Sequence, residues 1–148
     1  QAYTQHGGLR PWGVSMLLAG WDPSRGAQLY KTEPSGNFGA FKAIAVGAGA
    51  SRLSAELTSG YREAGGSGMG LAKAVRLAAR VLDGERRREQ RAHDRGAGDG
   101  NTFRDIGLEI ATIAVEGGEV GAASAFVYED ADVERVLASL NRESGEQD

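Results

Sequence analysis

Between residues 14 and 46, short apolar runs alternate with clusters of turn formers. Residues 14–20, 27–32 and 40–46 are each rich in apolar, β-branched or aromatic side chains, which predicts three consecutive strands in an antiparallel meander. The first connection, Trp21-Asp22-Pro23-Ser24-Arg25-Gly26, combines Asx bonding, a fixed φ and a glycine able to reach positive φ. The second, Glu33-Pro34-Ser35-Gly36-Asn37, has the same chemistry, and Pro34, lacking an amide donor, belongs where a strand ends. Val14, Met16 and Leu18 fall on one face of the first strand and Ser15, Leu17 and Ala19 on the other. Both faces are largely apolar, so the sheet is expected to be covered on both sides.

The period then changes to that of helices. Leu53, Leu57 and Tyr61 recur at four-residue intervals, and after the flexible link Gly65-Gly66-Ser67-Gly68-Met69-Gly70 a second stripe joins Leu71, Val75, Ala78 and Leu82, with Lys73, Arg76 and Arg80 opposite. No apolar period is visible over 84–105, and a mobile insertion loop is expected there. Across 83–105, six arginines are balanced by six acids, so a solvated segment is favoured over a basic docking signal. A second strand pair follows, residues 109–115 and 122–128 around a Glu116-Gly117-Gly118 turn. Burial of Ile113 or Phe126 against the first sheet would stabilise by roughly 1.5–3 kcal/mol each. Asp130 is expected to cap a last helix, on which Val133, Val136, Leu137 and Leu140 form a narrow apolar stripe. The acidic end, 143–148, has nothing to bury and is expected to be disordered.

Composition narrows the function classes. At 148 residues, 41% hydrophobic and 25% charged, the chain has the make-up of one globular domain, 1–148. A net charge of -3 supplies no attraction for nucleic acid or an anionic membrane, and neither is expected as a partner. No cysteine is present, which removes disulfides, thiolate metal sites and thiol nucleophiles from consideration. No apolar run approaches the ~20 residues of a membrane span.

Candidate chemistry is sparse. His6 lacks a nucleophile partner at a recognisable spacing and is read as a helix-end residue. Trp12 and Trp21 flank the first strand as rim aromatics. Val46-Gly47-Ala48-Gly49-Ala50-Ser51-Arg52 has the strand–glycine–helix order of a nucleotide loop, yet Arg52 stands where the third glycine belongs, and no phosphate-loop lysine occurs. No catalytic, cofactor-binding or metal-binding residue is assigned, and no cofactor is expected.

The meander carries a more specific signal. Arg10-Pro11-x-Gly13-Val14-Ser15, Gly20-x-Asp22, Gln28-Leu29-Tyr30, Pro34-Ser35-Gly36-Asn37, Lys42-Ala43 and Gly47 follow one another as in alpha-type subunits of the 20S proteasome, which the chain resembles strongly to about residue 46 and more loosely afterwards. That resemblance implies an α+β fold, the αββα sandwich of N-terminal-nucleophile hydrolases with antiparallel sheets. It makes Arg10, Pro11, Gly13, Asp22, Pro34, Ser35, Gly36 and Lys42 framework residues of turns and local polar bonding. Because Gln1 opens the chain inside what resembles a family helix ended by Gly7-Gly8, the sequence is expected to be a C-terminal half, with the sandwich incomplete at its N-terminus. The implied role is a non-catalytic structural subunit of the outer alpha ring, helping to form the passage through which substrates enter in ATP- and ubiquitin-dependent degradation. Its partners would be other alpha subunits in a heptameric ring, beta-ring subunits and regulatory particles, in cytoplasm and nucleus. The alternative within the superfamily is a threonine peptidase. Such enzymes use a chain-terminal threonine whose own amine is the base, whereas Thr4, Thr32, Thr58, Thr102 and Thr112 are internal here.

Overall fold

The structure, a computed structural model, describes residues 2–95, 107–116 and 122–145. Its elements are mixed α and β: α1 (Ala2–Gln5), β1 (Met16–Asp22), β2 (Gly26–Thr32), β3 (Phe38–Ala40), α2 (Ala50–Glu63), α3 (Leu71–Asp94), β4 (Ala111–Glu116), β5 (Ala122–Val127) and α4 (Asp130–Gly145). The strands form a three-stranded sheet, β1-β2-β3, and a two-stranded sheet, β4-β5. By packing, the chain falls into two compact units, Gln1–Ser54 with Ile113–Ser124, and Ala55–Thr112 with Ala125–Asp148.

In the first unit the predicted meander is present. β1 pairs antiparallel with β2 from Met16↔Thr32 to Asp22↔Gly26, and β2 pairs with β3 from Tyr30↔Ala40 to Thr32↔Phe38. The second turn is closed by the Gly36 amide donating to the Glu33 carbonyl and the Glu33 amide donating to the Asn37 carbonyl, each at 2.9 Å. Gly36 sits at φ +83°, which a side chain would resist. The third strand is shorter and earlier than the expected 40–46. Its ladder stops after the Phe41 amide reaches the Leu29 carbonyl, and the Ala45 amide donates instead to Ser54 Oγ of α2 at 3.1 Å. A strand cannot continue once its donors are turned toward a helix.

Expected cover on both faces of β1 is not found. Met16, Leu17 and Leu18 remain 49%, 43% and 50% exposed, so the two-sided apolar pattern is real but neither face of β1 is buried. Phe126 of β5 is likewise 55% exposed and Ile113 of β4 36% exposed, which withdraws the burial energy expected for them. Phe126 meets Tyr128 edge-on, with ring centroids 5.4 Å apart.

In the second unit α3 is the central element, and it corrects two expectations. First, it runs through Asp94, so residues 84–94 are helical rather than a loop; 96–106 lie outside the described residues, as do the 117–118 turn and 146–148. Residues 143–145 of the expected tail belong to α4. The continuation of α3 is polar and needs no apolar stripe: Asp83 accepts from Arg87 at 2.7 Å and from Arg86 at 3.2 Å, pairs at helix-neighbour spacing, and Arg88 reaches Glu56 of α2 at 3.0 Å. Arg87 also donates to Asn141 of α4. Second, the buried positions are Val75, Leu77, Ala79, Val81 and Asp83, whereas Leu71 and Leu82 of the expected stripe are each 45% exposed. Residues two apart lie about 200° apart around a helix, so α3 buries two opposed faces instead of one stripe.

One of those faces meets α2 at a glycine. A Cβ added at Gly60 would stand 2.4 Å from Leu77 Cδ1, so the Leu77 side chain occupies the space that a larger residue at 60 would need. In α4, Val133 and Leu140 are buried and Val136 and Leu137 half-buried, matching the predicted stripe. Its first turn differs: the amides of Asp132 and Val133 donate to the Glu129 carbonyl, and Asp130 is the first helical residue rather than the cap. Gly60→Val is expected to force Leu77 from its place and cost about 1–3 kcal/mol, read as a lower denaturation midpoint. An unchanged midpoint would show that Leu77 moves aside without cost.

Candidate interaction surface

The framework residues of the meander do not form one constellation. Arg10, Pro11 and Gly13 lie in the exposed segment that leads into β1, Asp22 ends β1, Pro34, Ser35 and Gly36 make the β2–β3 turn, and Lys42 is exposed just past β3. Three of them, Pro11, Pro34 and Gly36, are brought to the wall of a single cleft of about 580 Å³. Arg10, Gly13, Asp22, Ser35 and Lys42 are not part of its lining.

What else lines the cleft gives it its character. Tyr3, Trp12, Val14, Met16 and Phe38 line it beside Thr4, Thr32, Glu33 and Asn37, and its surface is mainly apolar. Trp12 is 73% and Phe38 70% exposed, more than a rim aromatic closing a core would be. Each side chain of this size gains about 1.5–3 kcal/mol when fully withdrawn from water, and a contiguous exposed group of them marks a contact surface. Trp12 stood out in the sequence only as a strand-end aromatic. Phe38 was missed because it follows a turn and opens a strand too short to show alternation; the signal that leads to both is the apolar character of both faces of β1, which demands a cover.

Asp22 has a different job. Its carboxylate accepts from the Ser24 hydroxyl, from the Ser24 amide at 2.9 Å and from the Arg25 amide at 3.0 Å, an Asx-type closure of the β1–β2 turn. The Ser24 hydroxyl first, then the Ser24 amide, hold this exposed carboxyl below its ordinary value of 3.8, with smaller help from Arg25. Ser35 acts more weakly in the second turn, its Oγ accepting from the Asn37 amide at 3.4 Å.

The glycines after β3 serve geometry. Gly47 and Gly49 lie at φ +104° and +69°, and their carbonyls accept from Ala50 at 3.3 Å and Leu53 at 3.0 Å to start α2. His6 is exposed beyond the end of α1, ahead of Gly8 at φ +85°. Among the described residues, no group of acidic or histidine side chains is placed to hold a metal ion, and no helix is long and apolar enough to cross a membrane.

Residues 1–95 match the family described as proteasome subunit, and the chain belongs to that family. The relatives it matches are alpha-type subunits, so within the family it stands on the alpha side. It is 51% identical to proteasome subunit alpha type-4-1 of Oryza sativa subsp. indica over 82 residues, 55% of this chain and 31% of that protein. It is 49% identical to proteasome subunit alpha type-4-A of Arabidopsis thaliana over 82 residues. It is 40% identical to proteasome subunit alpha type-3 of Saccharomyces cerevisiae over 114 residues, 72% of this chain and 43% of that protein. The chain thus spans well under two thirds of the relatives it matches. Two of these three relatives are type-4 subunits.

Because the Asp22 carboxyl titrates below its unfolded value, the stability it lends the turn is fully present above about pH 4 and is lost as pH falls through the lowered value. Ser24→Ala is expected to move the Asp22 titration upward toward 3.8, followed by NMR of the side-chain carboxyl. An Asp22 titration unmoved by that change would remove the hydroxyl as its cause.

Proposed function

We propose that this chain is a non-catalytic structural subunit of the outer alpha ring of the 20S proteasome, holding neighbours in the ring and helping to shape the passage by which substrates enter. The observation that carries the proposal is the uncovered apolar surface of the first unit, Trp12 and Phe38 with β1, in a chain whose relatives are alpha-type subunits and are longer. A sheet with apolar side chains on both faces reaches stability only when other layers lie against it. The αββα sandwich supplies those layers, so the meander belongs to one of its two sheets. The partners are other alpha-type subunits in a seven-membered ring, the beta ring beneath it and regulatory particles above, in cytoplasm and nucleus, in ubiquitin-dependent degradation. The framework residues act in this reading by fixing turns, as Asp22 and Gly36 do, rather than by chemistry.

Two measurements test it. Expressed alone, the 148-residue chain is expected to self-associate or to melt without a cooperative transition, since the apolar surface has no cover; extended by the upstream sequence of its relatives and co-expressed with other alpha-type subunits, it is expected as one copy per ring in native mass spectrometry. A monodisperse monomer with a sharp transition, or exclusion from the ring, would refute the proposal. Purified ring is expected to leave fluorogenic peptides intact, and turnover that stays with this chain and is blocked by a threonine-directed inhibitor would favour the peptidase alternative.

A further inference from the structure

Met16 of β1 stands opposite Thr32 of β2, and Thr32 opposite Phe38 of β3. All three line the cleft of the first unit. Residues paired across neighbouring strands share a face of the sheet, so they form a row across it, with a short side chain between two long ones. Strands lie about 4.8 Å apart, which sets the two ends of the row about 9.6 Å from each other. Tyr3 and Trp12 line the same cleft, and Trp12 is the more exposed of its two large flanking aromatics, Trp12 and Phe38. Its indole N–H and the side-chain amide of Asn37, a further lining residue, are hydrogen-bond donors.

Spacing and charge together select the ligand. A polyproline II helix brings residues three apart to the same side about 9.3 Å from each other, close to the length of the row. Side chains on one face of an extended strand repeat at about 6.6 Å and successive turns of an α-helix at about 5.4 Å, and neither period sets neighbouring contacts on both ends of it. Polyproline II has no internal hydrogen bonds, so its carbonyls are open to donors such as those of Trp12 and Asn37, and aromatic-lined grooves are the surfaces that take it up. Glu33 adds a negative charge to the lining. Its Oε1 accepts from Lys31 at 2.9 Å, its side chain is 43% exposed, and a carboxylate accepts several donors on its two oxygens, so it has capacity for a second cation.

We propose, resting on the reading that other protein covers this surface, that the cleft docks a proline-rich segment of a partner protein in polyproline II form. Prolines three residues apart lie against Met16 and Phe38, the Trp12 indole packs on the segment and donates to one of its carbonyls, and a flanking arginine pairs with Glu33. The turn that carries Glu33 and Asn37 is closed by its own backbone hydrogen bonds, and the ligand helix is stiff before it binds, so little freedom is lost by either side. The arginine fixes which way the segment runs.

The test titrates the full chain, in whatever assembly it forms, against a fluorescent peptide in which one arginine precedes a run of prolines. Saturable binding is expected, weakening about tenfold in Trp12→Ala, with the variant checked for an unchanged circular dichroism spectrum. Glu33→Gln and replacement of the peptide arginine by glutamine are each expected to weaken it about fivefold, and the two together no more than either alone. Phe126→Ala, which removes an exposed aromatic outside the lining of the cleft, is expected to bind as wild type does. Absence of saturable binding, an equal loss in Phe126→Ala, additive losses from Glu33 and the arginine, or equal binding of a peptide with its prolines replaced by alanine or of an amphipathic helical peptide would each overturn the proposal. Ring entry without peptide binding would overturn this inference alone, whereas peptide binding by a chain excluded from the ring would leave it standing and refute the ring role.

Discussion

A β-ladder satisfies the backbone but leaves its side chains to find their own cover, and in the first unit these two requirements come apart. From Met16 to Asp22 every residue of β1 stands opposite a residue of β2, so the backbone groups of β1 that face β2 have partners, while those on its outer edge do not belong to the ladder. The side chains of Met16, Leu17 and Leu18 nevertheless remain substantially in water. The β1–β2 ladder is thus paired along its whole length, yet the sheet is incomplete in hydrophobic burial, which provides most of the favourable free energy of a fold. The cleft and the exposed Trp12 and Phe38 both descend from that imbalance.

Helical packing in the second unit follows a different economy. α3 is flanked on two sides, and its length past Asp83 is supported by ion pairs and good helix formers rather than by apolar contact. Asp83 is the pivot, a buried carboxylate accepting from two guanidinium groups, one of which continues to Asn141 on α4. Gly60 leaves room for the Leu77 side chain, which would have to move for any larger residue there.

The strands and their turns were legible because turn chemistry is local. Asp22 with Ser24, and Gly36 between Glu33 and Asn37, act over two to four residues and leave their marks in the sequence. Family membership was legible for the same reason, since the quoted motifs cluster in those turns. What escaped depends on partners far along the chain. Past β3, the Ala45 amide is taken up by Ser54, nine residues further on; the extension of α3 rests partly on Glu56 and Asn141; and its two buried faces reflect neighbours on both sides, which a single-stripe period cannot express. Exposure of β1 was beyond the pattern altogether, because an apolar run states a need for cover and not whether the same chain meets it.

Locality in the turns has a kinetic consequence. The loops joining β1, β2 and β3 are short, and short loops close quickly at little entropic cost. The meander is thus able to assemble early, before any surface that covers it. During that interval the chain presents an ordered, sticky sheet, and the short third strand, Phe38–Ala40, offers little further edge for a wrong strand to pair with. Growth on that side is limited by its brevity, and the seven-residue outer edge of β1 is where a further strand has room to pair.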